Sequence, residues 1–174
     1  RVIHGEGTRL EEWRSCQILQ QMPEFDIPKI IPLDARVCII APHPDDEILG
    51  CGGLIQRLDK LGYQIILFAV TNGTASHPGS SLYTPEELNQ IRPAETRAAL
   101  EALPLKQNIL RIALDIQDGK VAEQREVLQQ HLQSYLQPND VLISTFVHDG
   151  HPDHEITGQV TQQLATELNL ACIQ

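Results

Sequence analysis

The stretch Val37-Cys38-Ile39-Ile40-Ala41-Pro42-His43-Pro44-Asp45-Asp46-Glu47 decides how the rest of the chain is read. Its first five residues are an unbroken apolar run, the pattern of a strand buried on both faces. The run stops at once, with two prolines bracketing His43 and three carboxylates following. Beyond them, Ile48, Cys51, Ile55, Leu58 and Leu61 recur at the spacing of a helix face, and Gly62 supplies a helix stop. The unit is a strand, a charged turn and a helix.

Working outward, the same alternation repeats. Residues 64–70 form a second apolar run, followed by a polar, glycine-containing loop over 71–83. Residues 85–103 are helical in character, with Pro93 expected to kink or restart the helix. Residues 108–114 read as a third strand. Residues 120–137 form an amphipathic helix carrying Val121, Leu128, Leu132 and Leu136 on one face. After the turn Pro138-Asn139-Asp140, residues 141–146 make a fourth strand. A helix over 154–169 aligns Ile156, Val160, Leu164 and Leu168, and residues 170–173 open a fifth strand. Alternating strands and helices predict an α/β three-layer fold, a mostly parallel sheet with helices on both faces. Ligands of such sheets sit beyond the carboxyl ends of the strands, where the strand order reverses. In the common order 3-2-1-4-5, taken by analogy, strands 1 and 4 are neighbours at that point. The cluster His43–Glu47 would then face His151-Pro152-Asp153-His154 across one crevice.

The helix after the first cluster carries Gly50, Gly52 and Gly53. An interior helical glycine costs about 1 kcal/mol relative to alanine, so three imply close approach of that helix to a strand or to the site. They are not a phosphate loop, because the spacing is wrong and no Lys-Ser/Thr follows.

Residues 1–34 read as an N-terminal arm without chemistry, packed against a body formed by residues 35–174. A short helix over 10–21 carries Trp13 and Ile18, and Pro23, Pro28 and Pro32 make an extended passage. His4 is solvated or locally bonded. The chain has 174 residues, enough for one domain with a real core. Its net charge of −10 argues against nucleic acid as a partner, because phosphate binding needs a basic surface. No apolar stretch reaches the length of a membrane span and no secretory leader is visible. Cys16, Cys38, Cys51 and Cys172 are scattered and form no C-x-x-C pair, as expected of thiols in a reducing, cytoplasmic setting. The chain starts at Arg1 and ends where a strand begins, so a longer protein, cut within its C-terminal part, is expected.

The two clusters carry the chemistry. A catalytic zinc has three protein ligands from His, Asp or Glu and one open position. His43, Asp46 and His154 supply that set, and two imidazoles with one carboxylate leave the site a net positive charge. A zinc there would polarise a carbonyl and lower the pKa of a bound water. Fe2+ or Co2+ share such ligands. Asp45 is the candidate general base, with Pro42 and Pro44 fixing the turn around His43. His151 is the candidate for stabilising an oxyanion or donating a proton to a leaving amine. Asp153 is expected to accept the His151 ring N–H, with Asp149 as second choice. The competing reading makes Asp45 or Asp46 a helix cap and His151-Pro-Asp-His154 a capped helix start. Two such clusters on one strand-turn-helix frame favour a site. His77 and His131 read as solvated, and His148 as a loop residue outside the site.

Ala41-Pro42-His43-Pro44-Asp45-Asp46-Glu47 resembles the A-H-P-D-D-E signature of the PIG-L/LmbE-like zinc-dependent N-deacetylases, with Pro42 as a variation before the histidine. His151-Pro152-Asp153-His154 is similar to that family's H-x-D-H motif. Thr71-Asn72-Gly73, Arg92-Pro93-Ala94-Glu95 and Asp118-Gly119 follow its order. The resemblance runs from about Arg36 to Leu168. It implies a Rossmann-like fold and removal of the acetyl group from N-acetylglucosamine moieties. It implies His43, Asp46 and His154 as zinc ligands, Asp45 as base and His151 as the oxyanion or acid group. It also implies Arg92, and more weakly Asp118, as substrate contacts. The expected partner is a small molecule or glycoconjugate bearing an N-acetyl group. The alternatives are a metal-dependent hydrolase of another amide or ester, and a non-catalytic sugar-binding domain.

Overall fold

The computed structural model describes residues 8–22 and 25–174, so His4 and Pro23 lie outside the described residues. The described residues divide into two compact units between Ile30 and Ile31. In the first, the single helix expected over residues 10–21 is two, α1 (Leu10–Ser15) and α2 (Gln17–Gln21). They are separated by Cys16, whose backbone is extended at φ −67° and ψ 107°. A short helix α3 (Ile27–Ile30) replaces the extended passage expected around Pro28. Pro28 falls in its first turn, where the missing N–H has no intrahelical partner to lose.

The second unit is a five-stranded sheet in the order β3-β2-β1-β4-β5, with every pair parallel. Its elements are β1 (Arg36–Ala41), α4 (Asp46–Leu61), β2 (Gln64–Thr71), α5 (Pro85–Ala102), β3 (Leu110–Ile116), α6 (Arg125–Tyr135), β4 (Val141–Ser144), α7 (Pro152–Leu168) and β5 (Ala171–Ile173). The expected three layers and strand order are present, and the sheet is wholly parallel. Strand β1 is flanked by β2 and β4, with Ile40 opposite Phe68 on one side and Ser144 on the other. The residues of one sheet face, Cys38, Ile40, Ile66, Phe68, Val70 and Leu142, bury against Leu128 and Leu132 of α6 and Val160 and Leu164 of α7. Helices α4 and α5 pack together on the opposite face, as right-handed crossovers require.

Several boundaries differ from the sequence reading. α5 runs unbroken through Pro93, which is itself buried with Leu88, Thr96 and Leu100 along one side. A Thr84–Glu87 capping box secures its start, so tertiary burial and a strong cap outweigh one lost backbone hydrogen bond. β3 ends two residues later than expected, because a bulge at Asp115 (φ 52°) shifts the register between Ala69 and Thr71. The expected helix over 120–137 opens as a 3-10 turn, Val121–Gln124, before α6.

The glycines of α4 do not mark a close approach. A β-carbon at Gly50 or Gly53 would meet open space, and both are exposed. The tight glycine is Gly158 in α7, where a β-carbon would lie 2.5 Å from the Thr145 carbonyl oxygen. Gly53→Ala is therefore expected to stabilise the fold by about 1 kcal/mol. Gly158→Ala is expected to destabilise it by about 1–3 kcal/mol. Urea unfolding of the two variants checks both signs, and a shift in the same direction for both would contradict this packing.

Candidate metal centre and its carboxylate supports

Strands β1 and β4 end side by side, and the two clusters leave from those ends. The Thr71 N–H donates to the Pro42 carbonyl at 3.0 Å, carrying the β1–β2 pairing one residue beyond the strand. The chain then turns sharply. The Asp46 N–H donates to the His43 carbonyl at 3.3 Å, and Asp46 Oδ2 accepts from the His43 N–H at 2.9 Å. Asp45 is the N-cap residue of α4, yet its side chain makes no cap hydrogen bond. The Asp45 side chain is therefore not the cap of α4. Across the crevice, His151 caps α7, with its ring Nδ1 accepting from the Asp153 N–H at 3.2 Å. The Thr145 hydroxyl donates to the His154 carbonyl at 2.9 Å and ties the start of α7 to the end of β4.

These turns bring three electron-pair donors together. His43 Nδ1 lies 3.2 Å from His154 Nε2 and 3.4 Å from Asp46 Oδ2, and His154 Nε2 lies 3.3 Å from the same oxygen. Three such atoms so close repel one another unless a proton or metal cation sits among them. Zinc–nitrogen and zinc–oxygen bonds in a tetrahedron place adjacent donor atoms about 3.3 Å apart. The triangle has that edge length, so the residues fit the metal the sequence implies. Two overlapping triplets, His43–His151–His154 and His43–Asp118–Asp153, also gather donor atoms within 4.8 Å.

Each histidine of the triangle is held from behind by carboxylate. His43 Nε2 lies 3.2 Å from both Asp118 Oδ1 and Asp153 Oδ2. His154 Nδ1 lies 2.9 Å from Asp149 Oδ2. This is the carboxylate–histidine–metal arrangement, which fixes the tautomer and aims the other ring nitrogen at the cation. The supports are themselves anchored. Asp118 Oδ2 accepts from the Ala75 N–H at 2.7 Å, and Asp153 accepts from the Gly119 and Val121 N–H groups at 2.8 and 3.3 Å.

The placements of four residues differ from the sequence reading. Asp153 does not accept from the His151 ring, because its buried carboxylate is turned toward His43 and two backbone N–H groups. Its backbone N–H occupies His151 Nδ1 instead, which leaves the His151 proton on Nε2. Asp118 faces His43 rather than open crevice, with a side chain only 7% exposed. Arg92 is directed at the protein itself. Its Nη2 donates to the Pro44 carbonyl at 2.5 Å and to Asp45 Oδ2 at 2.8 Å. Asp149, second choice as a partner of His151, holds His154.

Burial disfavours charge on His43, but Asp118, Asp153 and Asp46 outweigh it and push its pKa up to about 11. Burial likewise opposes charge on His154, whose pKa is raised by Asp46 and Asp149. Burial would raise Asp46, yet hydrogen bonds from His154 and His43 hold it well below the usual carboxylate range. Asp118 and Asp153 are lowered in the same way, burial being overcome by His43 and backbone N–H groups. Burial lowers His151, aided by the positive charge of His43 and His154. The lowered carboxylates stabilise the metal-free fold above about pH 4, and that contribution is lost as pH falls. The raised histidines stabilise it fully below about pH 6.5, and that contribution is lost as pH rises. Metal-stripped protein is therefore expected to be most stable between about pH 4 and 6.5. Urea midpoints after chelation, taken from pH 3 to pH 9, check this, and a flat profile would count against the charge arrangement.

The family model for PIG-L, GlcNAc-PI de-N-acetylase, matches residues 38–165. Diacetylchitobiose deacetylase of Thermococcus kodakarensis is 30% identical over 127 residues, covering 71% of this chain and 46% of the relative. The probable N-acetyl-alpha-D-glucosaminyl L-malate deacetylase 2 of Bacillus cereus is 26% identical over 145 residues, covering 78% of this chain and 63% of the relative. The structure of N,N'-diacetylchitobiose deacetylase from Pyrococcus horikoshii, in complex with an inhibitor, superposes with a TM-score of 0.69 at 28% identity. It covers 93% of this chain and 61% of that one. The chain thus spans less than two thirds of the length of these relatives. The matched span runs from β1 into α7 and encloses both histidine–aspartate clusters, and the chain belongs to the PIG-L family, the GlcNAc-PI de-N-acetylases.

Proposed function

We propose that this chain carries the catalytic site of a metal-dependent N-deacetylase, with zinc as the metal and Fe2+ or Co2+ able to replace it. The substrate class is an N-acetylated amino sugar of the N-acetylglucosamine type, free or in a glycoconjugate. The observation that carries this reading is the triangle of His43 Nδ1, Asp46 Oδ2 and His154 Nε2, with the Asp45 carboxylate, paired with Arg92 and not used as a helix cap, next to it in the chain. His43, Asp46 and His154 would hold the ion. When bound, it supplies Lewis acidity toward a carbonyl oxygen and lowers the pKa of a water.

The remaining work falls to this chain's own side chains. Asp45, with a side chain 53% exposed, takes a proton from the water that attacks the acetamide carbon. Burial raises its pKa, which strengthens it as a base, while the charge of Arg92 pulls the other way. His151 directs its Nε2–H toward the oxygen that gains charge, because Nδ1 is taken by the α7 backbone. The proton held by Asp45 passes to the amine nitrogen as the C–N bond breaks, giving acetate and the free amine. Asp118, Asp153 and Asp149 keep the two histidine ligands oriented.

The test is acetate release from a panel of N-acetylglucosamine compounds by purified protein, first metal-free and then with one equivalent of zinc. Zinc-dependent release is expected. Tight, stoichiometric zinc binding without acetate from any of them would overturn the deacetylase reading. Saturable sugar binding without release would point to a binding domain.

A further inference from the structure

Asp45 is held in a backbone conformation that residues with side chains avoid, φ 128° and ψ −30°. Such a conformation costs about 1–3 kcal/mol and persists only where its surroundings over-determine it. Here the determinants are visible. From α5, Arg92 reaches beneath the turn and donates through Nη2 to both the Pro44 carbonyl and Asp45 Oδ2, at 2.5 and 2.8 Å. Its Nη1 donates to the Gly73 carbonyl at 3.4 Å. On the other side the Asp45 N–H donates to Glu47 Oε2 at 3.3 Å, and the Asp45 carbonyl accepts from the Ile48 and Leu49 N–H groups at 3.0 and 2.8 Å.

The guanidinium has a seat made for it. Gly73, at φ 68°, lies flat against it, and a β-carbon there would collide with Nη1 and sit 2.8 Å from Cζ. The Arg92 side chain is only 13% exposed. Three of its five N–H donors are committed to this turn, two on backbone carbonyls and one on the Asp45 carboxylate. Lysine could not span the backbone oxygen and the carboxylate with the same fixed fork.

We propose that Arg92, seated on Gly73, is a positioning residue for Asp45, fixing its carboxylate and the strained backbone beneath it as one unit. Arg92 binds Oδ2 and leaves Oδ1 for the incoming proton. This inference rests on the reading of Asp45 as general base.

Two measurements test it. On N-acetylglucosamine compounds, Arg92→Ala and Gly73→Ala are each expected to lower kcat about 10–100-fold, since small misplacements of a reacting group cost that much. KM and zinc stoichiometry should hold within about twofold, and the double variant should be no worse than Arg92→Ala. A rise in KM alone, or multiplying losses in the double variant, would overturn the proposal and assign Arg92 to the substrate. Undiminished turnover in Asp45→Asn would instead remove the base reading, a different outcome. The second measurement needs no substrate. Glycine adopts φ 128° without strain, so Arg92→Ala should shift the urea midpoint less in an Asp45→Gly background than in the unmodified chain. Equal shifts in the two backgrounds would overturn the proposal whatever the substrate is.

Discussion

Asp45→Asn is expected to lower kcat by about 10²–10⁴-fold while leaving zinc stoichiometry at one per chain. The two halves of that expectation rest on different atoms. Asp45 contributes nothing to the triangle, whose carboxylate oxygen belongs to Asp46. Its side chain caps no helix, so asparagine removes no structural hydrogen bond of that kind. The amide oxygen of asparagine can still accept from Arg92 Nη2, which keeps the turn in place. An amide cannot take a proton from water at neutral pH, so the capacity lost is that of a base, together with the charge paired to Arg92. Steady-state kinetics with metal analysis of the same sample decides the matter. Loss of zinc together with activity would make Asp45 a ligand or a structural residue, and unchanged turnover would end its assignment as base.

The α/β fold was legible because the buried strands are continuous apolar runs and the helices between them carry apolar residues at helical spacing. The strand order itself came by analogy, and it holds: β1 lies between β2 and β4, which brings His43 and His154 into one crevice. What sequence could not give was the partner of each donor. Asp153 stands next to His154 and two residues from His151, so proximity along the chain suggested His151. Its carboxylate instead reaches a histidine 110 residues away, because the start of α7 faces the loop after β3. Arg92 was assigned to the substrate by family resemblance rather than from its neighbours in the chain. Its inward direction depends on the flat surface of Gly73, 19 residues away, which no local pattern reveals. The α4 glycines show the converse, since two of the three, Gly50 and Gly53, stand at open surface.

Removing one corner of the triangle is expected to have the largest effect on the metal. Asp46→Ala deletes the only carboxylate corner and leaves His43 Nδ1 and His154 Nε2 facing each other at 3.2 Å. Zinc affinity should fall by more than the roughly 10–100-fold that loss of a supporting residue costs, and zinc-dependent acetate release should disappear with it. Asp149→Asn provides the comparison within the same site. It leaves all three corners in place but weakens the hold on His154 Nδ1, so its loss of zinc affinity should stay near that 10–100-fold range. Competition with a chelator of known affinity orders the two. The overlapping triplets make the experiment discriminating, because neither uses Asp46. If Asp46→Ala binds zinc as tightly as the unmodified chain, the ion belongs to His43–His151–His154 or to His43–Asp118–Asp153. Asp118→Asn would then abolish binding in the second case and only weaken it, by the roughly 10–100-fold of a lost support, in the first.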